Sequence, residues 1–292
     1  MTVPDTPGER RRSRRRTDPT SLPPGMVERR TPTEIVGVLG VGVAVLTVPR
    51  ALAQVTSMIE RGAVGTVAFA NAHLLNLAAD RADVRDTLRA TALILNDGAG
   101  VAWAARAKSQ PLPANLNGTD FTPLLIERAA ELGWRVALLG ARPGVAQQAS
   151  AALGDRFAGL NICHVHHGYF DDSESDHVST QIKASAAQLL LVAMGNPRQE
   201  LWLQQHLPAT GANVGLAVGA FFDFAAGQVP RAPRWMRALR LEWLFRLLLE
   251  PRRLFARYVI GIPRFRKRVR RDVIDPVKTH LSRRAEDSHG GD

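Results

Sequence analysis

The chain has one cysteine and no apolar run long enough to cross a membrane. Cys163 is the only cysteine among the 292 residues, so no disulfide forms within the chain, which fits a reducing compartment. The apolar residues 35–48 are interrupted by glycines and fall short of the about 20 residues that a membrane-spanning helix needs. They also lack a signal-peptide cleavage pattern. We therefore expect a soluble or peripheral protein that faces the cytoplasm.

Patterns typical of a metal site or a bound cofactor are also scarce. His164, His166 and His167 crowd onto one predicted strand, with no second ligand pair at the spacing that zinc requires. The acidic residues 171–176 are typical of a solvated loop. We predict no metal site and no cofactor.

The net charge of +11 is concentrated at the two ends of a chain whose composition is otherwise that of a globular protein. Residues 1–33 hold eight Arg and four acidic residues, and residues 231–271 hold 14 Lys and Arg against two Glu. The body between them is slightly acidic. This asymmetry favours a polyanionic partner, either nucleic acid or anionic lipid.

Strand and helix patterns alternate from residue 35 onward, which predicts a doubly wound, Rossmann-like α/β sheet. The predicted strands lie near residues 65–70, 91–95, 135–140, 161–165, 189–194 and 214–218. The unit at residues 135–153 resembles half of a nucleotide-binding fold, although it has neither a G-x-G-x-x-G motif nor a Walker loop.

The predicted domains follow these changes of composition. Residues 1–33 form an Arg-rich tail expected to be disordered, residues 34–230 the α/β domain, residues 231–271 a basic helical C-terminal appendage, and residues 272–292 a second disordered tail. In the appendage, arginines interleave with apolar residues at helical spacing, and breaks are predicted at Glu250–Pro251 and at residues 261–263. Basic amphipathic helices with Trp and Phe are typical of a membrane interface; packing of these helices on the protein's own body is the alternative.

Residues 188–202 predict a strand that ends at Gly195 and a helix that begins near Pro197. The exposed N–H groups of such a helix start bind anions, and Arg198 adds a positive charge. Ligands of open α/β sheets lie at this carboxyl edge. An ordinary strand–helix connection has the same pattern.

Polar residues follow other predicted strands in the same way. Asp97 stands at a strand end before Gly98, where it either closes a tight turn or presents a general base to a cleft. Asn71 is either a helix cap or a ligand contact. Asp223 lies just past the last strand, and Tyr169, near a turn, either packs or stacks on a base.

Several ordered motifs resemble those of the WecG/TagA/CpsF glycosyltransferases, from about Ile35 to Arg264. The motifs are Asn96-Asp97-Gly98, Gly118-Thr119-Asp120, Gly140 with Pro143-Gly144, Gly168-Tyr169-Phe170, the run from Gly195 to Trp202, Asp223-Phe224 with Gly227, Arg231-Ala232-Pro233, Glu242-Trp243 with Arg246, Glu250-Pro251-Arg252-Arg253, and Arg257-Tyr258.

This resemblance implies an inverting, metal-independent hexosyltransferase of cell-surface polysaccharide or teichoic-acid-type synthesis. Its members transfer a sugar, usually N-acetylmannosamine, from a UDP-sugar to a polyprenyl-diphosphate-linked acceptor such as an undecaprenyl diphosphate. They work at the cytoplasmic face of the cell membrane as peripheral proteins. A donor, a lipid-linked acceptor and an anionic membrane surface are therefore the expected partners.

The resemblance also assigns roles to residues. It implies that Asp97 is the general base and that Gln199 lies near the donor sugar. Tyr169 and Asp223 fall on uridine contacts, and Arg246, Arg253 and Arg257 close over the diphosphate and dock on the bilayer. The remaining predicted substrate-binding residues are Asn71, Gly98, Asn115, Gly140, Gly195 and Arg198.

Two positions depart from the family pattern. Phe69-Ala70-Asn71 stands where Thr-x-Asn is common, and Asn115 stands where an Arg is common. One hydroxyl and one cation are thus missing from the expected pocket. We predict a donor other than UDP-N-acetylmannosamine, such as another UDP-hexose or a UDP-uronate, or a different acceptor.

Two other functions are compatible with parts of the sequence. The basic ends suit a nucleic-acid-binding protein, but the large apolar residues among the arginines favour a bilayer, so we expect no nucleic-acid partner. A family member that has lost activity and scaffolds polysaccharide assembly is the third possibility, which the presence of Asp97 and Gln199 disfavours.

Overall fold

Six parallel strands form one sheet in the computed structural model of the protein, which describes residues 33–230, 232–233, 236 and 242–274. The predictions for the N-terminal tail, for Arg231 and for residues 275–292 fall outside these residues. An antiparallel hairpin, β1 (Ile35–Val38) and β2 (Val41–Ala44), precedes the sheet. The sheet strands are β3 (Gly65–Ala70), β4 (Leu93–Asn96), β5 (Arg135–Gly140), β6 (Asn161–His166), β7 (Leu189–Ala193) and β8 (Val214–Ala217).

The strand order across the sheet is β4-β3-β8-β7-β5-β6, and every neighbouring pair is parallel. All residues of β7 are buried, as expected for a strand covered on both faces. The predicted Rossmann-like architecture is therefore confirmed.

Helices cover both faces of the sheet. Their bounds are α1 (Val48–Glu60), α2 (Ala72–Asp80), α3 (Ala82–Ala90), α4 (Ala99–Ala107), α5 (Gly118–Glu131), α6 (Val145–Arg156), α7 (Ser175–Ala184), α8 (Arg198–Thr210), α9 (Phe221–Ala225), α10 (Glu242–Leu249), α11 (Pro251–Phe255) and α12 (Gly261–Ile274). A 3-10 turn (Asp172–Glu174) precedes α7, and a π-helical turn (Ala256–Ile260) joins α11 to α12.

Helices that follow neighbouring strands lie on opposite faces of the sheet at four boundaries, which include β5/β7 and β3/β8. The core beneath α2 and α8 lies on one face, and the core beneath α6 and α9 lies on the other. Crevices therefore open at the carboxyl edge between β5 and β7 and between β3 and β8. Such points are where open α/β sheets bind ligands.

The C-terminal helix α12 packs on the α/β body. Its Phe265 and Val269 are fully buried in the core that α2 and α4 share, and Arg268 pairs with Asp80 of α2. Buried Asp272 accepts hydrogen bonds from the Leu39 N–H (3.1 Å) and pairs with Lys108 (2.8 Å). Residues 261–274 thus pack as part of the α/β body. For the rest of the predicted appendage, residues 231–260, a separate unit stays a prediction.

The sequence prediction of a helix break at residues 261–263 was wrong. The chain stays helical from Pro251 to Ile274. The last helix ends three residues after residue 271, where the predicted appendage ends. Pro263 is tolerated because it lies in the first turn of α12, directly after the π-helical turn has changed the hydrogen-bond register.

Within the residues that the structure describes, no helix combines the length and apolar character needed to cross a membrane.

Candidate functional site

Asp97 and Asn71 meet at the carboxyl ends of β4 and β3. The Asp97 N–H donates to the Ala70 carbonyl (2.8 Å), and the Asn71 Nδ2 lies 3.5 Å from Asp97 Oδ2. Asn71 also caps α2, because its Oδ1 accepts a hydrogen bond from the Leu74 N–H (3.0 Å). The structure therefore confirms Asn71 as a helix cap that also lies beside the half-buried Asp97 carboxylate, and its contact with a ligand stays a prediction.

The turn after Asp97 depends on Gly98 and Asn115. Gly98 has a φ of 86°, which favours glycine, and its N–H donates to Asn115 Oδ1 (3.2 Å). Buried Asn96 donates to the Ala114 carbonyl (3.0 Å), a contact that sequence reasoning missed. Asn115, at the position where the family commonly has Arg, thus supports the turn that carries Asp97.

Gln199 joins the carboxyl ends of β7 and β8. Its side-chain oxygen accepts hydrogen bonds from the Gly195 N–H (3.2 Å) and the Gly219 N–H (3.0 Å). Its Nε2 donates to Glu200 Oε1 (2.8 Å), and the residue is 2% exposed. We call this arrangement of Gln199, Gly195 and Gly219 the loop clamp.

Glu200 is a buried carboxyl group that sequence reasoning quoted within a motif but gave no role. Its Oε1 accepts from the Asn196 Nδ2 (2.6 Å) as well as from Gln199, whereas Oε2 has no hydrogen-bond partner among the described residues. Burial raises the pKa of Glu200 to about 7, although these two hydrogen bonds and the charge of Arg257 act in the opposite direction. The Asn196–Pro197 peptide bond is cis.

Arg198 binds the segment that carries Tyr169. Its guanidinium donates to the carbonyls of Gly168 (3.1 Å) and Phe170 (2.6 Å), and it lies over the Phe170 ring. The side chain of Tyr169, between these two residues, is 64% exposed. Arg198 therefore fixes a turn that presents an aromatic ring to solvent.

A close approach of backbones marks the crevice between β5 and β7. Gly140 has a φ of 142°, and a Cβ placed there would lie 2.4 Å from the Ala193 carbonyl oxygen. Only glycine fits this position. Asp223 lies half-buried in the first turn of α9, next to the end of β8.

Arg257, in the π-helical turn, brings its charge close to residues of two sheet-edge helices. Burial and, to a lesser extent, the charge of Arg257 lower the pKa of His73 to about 4, and the same charge acts on Glu200. His73 is in α2 and Glu200 in α8, and the C-terminal segment contacts α2, where Asn76 Nδ2 donates to the Gly261 carbonyl (2.8 Å). The side chains of Arg246 and Arg253 fall outside the described part of the structure.

The predicted general base and the loop clamp lie at strand ends on either side of the boundary between β3 and β8. Strands β4 and β7 are three steps apart, about 14 Å at the usual strand spacing. Asp97 turns toward Asn71 at the end of β3, however, and Gln199 reaches Gly219 past the end of β8. Because β3 and β8 are neighbours, the residues that Asp97 and Gln199 contact, Asn71 and Gly219, follow adjacent strands.

Across the described ranges, no cluster of three or more His, Cys, Asp and Glu side chains is arranged to hold a metal ion.

A doubly wound parallel sheet with a carboxylate, two amide-bearing turns and several helix N-termini at its carboxyl edge is typical of α/β proteins that bind ligands at this edge. The model of the glycosyl transferase WecG/TagA/CpsF family matches residues 36–278. The chain therefore belongs to this family, and its site takes a sugar donor and an acceptor.

Proposed function

We propose that the protein is an inverting transferase that moves a sugar from a UDP-sugar to a polyprenyl-diphosphate-linked acceptor in cell-surface polysaccharide synthesis. The observation that supports this proposal is that Asp97, beside Asn71 after β3, and the loop clamp, which holds Gly219 after β8, follow neighbouring strands. A carboxylate at one wall and fixed backbone turns at the other suit a displacement at a sugar carbon held between them.

The reaction is a single displacement. Asp97 takes the proton of the acceptor hydroxyl, the hydroxyl oxygen forms a bond to the anomeric carbon, and the bond from that carbon to the phosphate oxygen breaks. UDP leaves with the electron pair, and the configuration at the anomeric carbon inverts. Preorganised positive groups lower the barrier because negative charge grows on the leaving diphosphate.

Helix N-termini and Arg257 supply that positive charge. The charge of Arg257 acts on His73 and Glu200, which lie in the first turns of α2 and α8. A cation beside two positive helix ends favours the binding of an anion. We assign this place to a diphosphate, and the uridine to Tyr169 and Asp223 beside Gly140.

The donor pocket supports a sugar other than N-acetylmannosamine. Phe69, where the family commonly has Thr, is buried; a Cβ on Gly118 would lie 3.1 Å from its ring, which meets Phe121 edge-on. Phe69 therefore has no hydroxyl group that could bind the UDP-sugar. Asn115 has an amide where the family commonly has the guanidinium of Arg. Both differences remove hydrogen-bonding side chains that a site for N-acetylmannosamine would use.

A panel of UDP-sugars tests this proposal directly. Purified protein, a synthetic prenyl-diphosphate-linked sugar and anionic liposomes are mixed with each UDP-sugar, and UDP release is measured with and without the acceptor. We expect acceptor-dependent release with a UDP-hexose or UDP-uronate. A clear preference for UDP-N-acetylmannosamine would contradict the donor assignment, and no acceptor-dependent release with any donor would contradict the function.

We also propose that the segment from α10 to the π-helical turn docks on the cytoplasmic face of the membrane. Its Leu248, Phe255 and Ile260 are each more than half exposed, and basic residues lie between them. The charge of Arg257, within this segment, acts on His73 and Glu200, which supports a position near the carboxyl edge of the sheet. A lipid-linked acceptor would thus reach Asp97 from the bilayer.

Phe255→Ser should weaken binding to phosphatidylglycerol vesicles about thirty-fold. Withdrawing one aromatic ring from the interface costs about 2 kcal/mol, and about 1.4 kcal/mol is tenfold in affinity. Val64→Ser is the matched control, because Val64 is 58% exposed but precedes β3 at the opposite edge of the sheet. Equal vesicle co-sedimentation of the two variants would refute docking through this segment.

A further inference from the structure

Glu200 has features that a purely structural residue in this place would not need. It is 3% exposed, one carboxylate oxygen has no hydrogen-bond partner among the described residues, and its pKa is raised to about 7 by burial. An apolar side chain of similar volume is usually no worse for stability than a buried carboxylate. Glu200 therefore lowers the stability of the fold, and it does so at the carboxyl edge of the sheet. A destabilising titratable group at this edge indicates a role in the site.

Both hydrogen bonds of Oε1 come from side-chain amides of the same turn. Asn196 Nδ2 and Gln199 Nε2 donate to this one oxygen, at 2.6 and 2.8 Å. An amide group has an oxygen end and a nitrogen end, so a fixed acceptor for the nitrogen decides which way the oxygen points. With Nε2 bound to Glu200, Gln199 Oε1 is directed at the N–H groups of Gly195 and Gly219.

We propose that Glu200 is a positioning residue for sugar transfer, which acts through Gln199 by fixing the amide orientation that holds the ends of β7 and β8 together. The loop clamp closes one wall of the crevice that Asp97 borders, so a loose clamp displaces the donor sugar from the attacking oxygen. The inference rests on the proposed function for its kinetic consequence. Its structural half, the orientation of Gln199, does not depend on which substrate binds.

Two variants distinguish the effect of the hydrogen-bond acceptor, Glu200 Oε1, from the effect of the negative charge of the carboxylate. Glu200→Gln keeps an oxygen that accepts from both amides, whereas Glu200→Leu removes the acceptor and keeps the volume. We expect Glu200→Leu to lower kcat at least tenfold with a change in KM below threefold, and Glu200→Gln to keep kcat within threefold of wild type. Glu131→Gln, on an exposed face of α5, is the matched control.

A double-variant cycle tests whether Glu200 acts through Gln199. If it does, the loss of kcat in Gln199→Leu/Glu200→Leu equals the loss in Gln199→Leu alone. Multiplicative losses would overturn the proposal, as would an unchanged kcat in Glu200→Leu or an equal loss in Glu200→Gln and Glu200→Leu.

Amide hydrogen exchange of the ligand-free protein supplies a readout that needs no substrate. The Gly195 and Gly219 N–H groups should exchange at least tenfold faster in Glu200→Leu than in wild type, and at nearly the wild-type rate in Glu200→Gln. Faster exchange in a protein that transfers no sugar from any UDP-sugar would support the positioning role while it refutes the proposed function. Unchanged exchange in a folded Glu200→Leu protein would overturn the positioning role.

The pH dependence of stability supplies the second check on Glu200. Its folded pKa of about 7 lies above the ordinary value of 4.5, so its contribution to stability is fully present below pH 4.5 and is lost as the pH rises through 7. The one charge among the described residues that acts on Glu200, that of Arg257, is common to both proteins, so the difference between wild type and Glu200→Gln isolates this group. The stability difference between Glu200→Gln and wild type should therefore shift in favour of the variant as the pH rises from 5 to 8. A difference that does not change with pH would contradict a raised pKa for a buried, poorly paired Glu200 carboxyl group.

Discussion

Replacing Asp97 with Asn is expected to lower the rate of sugar transfer by about 10²- to 10⁴-fold, the range that a positioned general base contributes. Asn keeps the size of the side chain and the contact with Asn71, but its amide does not take a proton from the acceptor hydroxyl. Binding of the UDP-sugar should change little, because the assigned uridine and diphosphate contacts lie at other strand ends. Initial rates of UDP release and calorimetric affinity for UDP measure the two effects separately.

Asp155→Asn serves as the control for this substitution, since Asp155 is exposed on α6 and the change in charge is the same. It should transfer sugar at the wild-type rate. If Asp97→Asn kept its turnover, the assignment of the base would be lost, and a different group at the crevice would have to accept the proton. If it lost UDP affinity in parallel with rate, Asp97 would be a binding residue.

Replacing Phe265 with Ala is expected to lower the free energy of unfolding by about 3–5 kcal/mol, the usual cost of deleting a buried phenyl ring. Phe265 is fully buried in the core shared by α2 and α4, and a Cβ on Gly100 would lie 3.7 Å from its ring. The substitution removes packing between α12 and the α/β body. Since Arg257 precedes α12 directly, transfer activity should fall together with stability. Urea unfolding at fixed pH measures the change.

Phe255→Ala provides the comparison within the same C-terminal segment. The Phe255 ring is 53% exposed, so its removal should cost less than about 1 kcal/mol of folding stability while it weakens vesicle binding. Equal losses of stability in the two variants would show that α12 packs no more firmly than the exposed turn before it.

Much of the fold was predictable because its signals are local. The continuous apolar run of β7 and the alternation of strands and helices predicted a buried parallel sheet, and the structure confirms it. The positions of Asp97 and Asn71 at strand ends were also readable, since each residue follows its own strand. The prediction failed at residues 261–263, where Gly and Pro are local breakers but a π-helical turn and the burial of Phe265 keep the chain helical.

Other features of the site depended on which strands became neighbours. By itself the sequence determined the α/β class, the polar strand ends and, through its ordered motifs, the family. The tertiary structure decided the order β4-β3-β8-β7-β5-β6, which makes the strands before Asn71 and Gly219 neighbours, and the packing that lets the Arg257 charge act on His73 and Glu200. These contacts join residues far apart in the chain, and the burial that raises the pKa of Glu200 comes from several elements at once. Local patterns report the periodicity of one segment, whereas strand order and desolvation exist only once the segments have packed together.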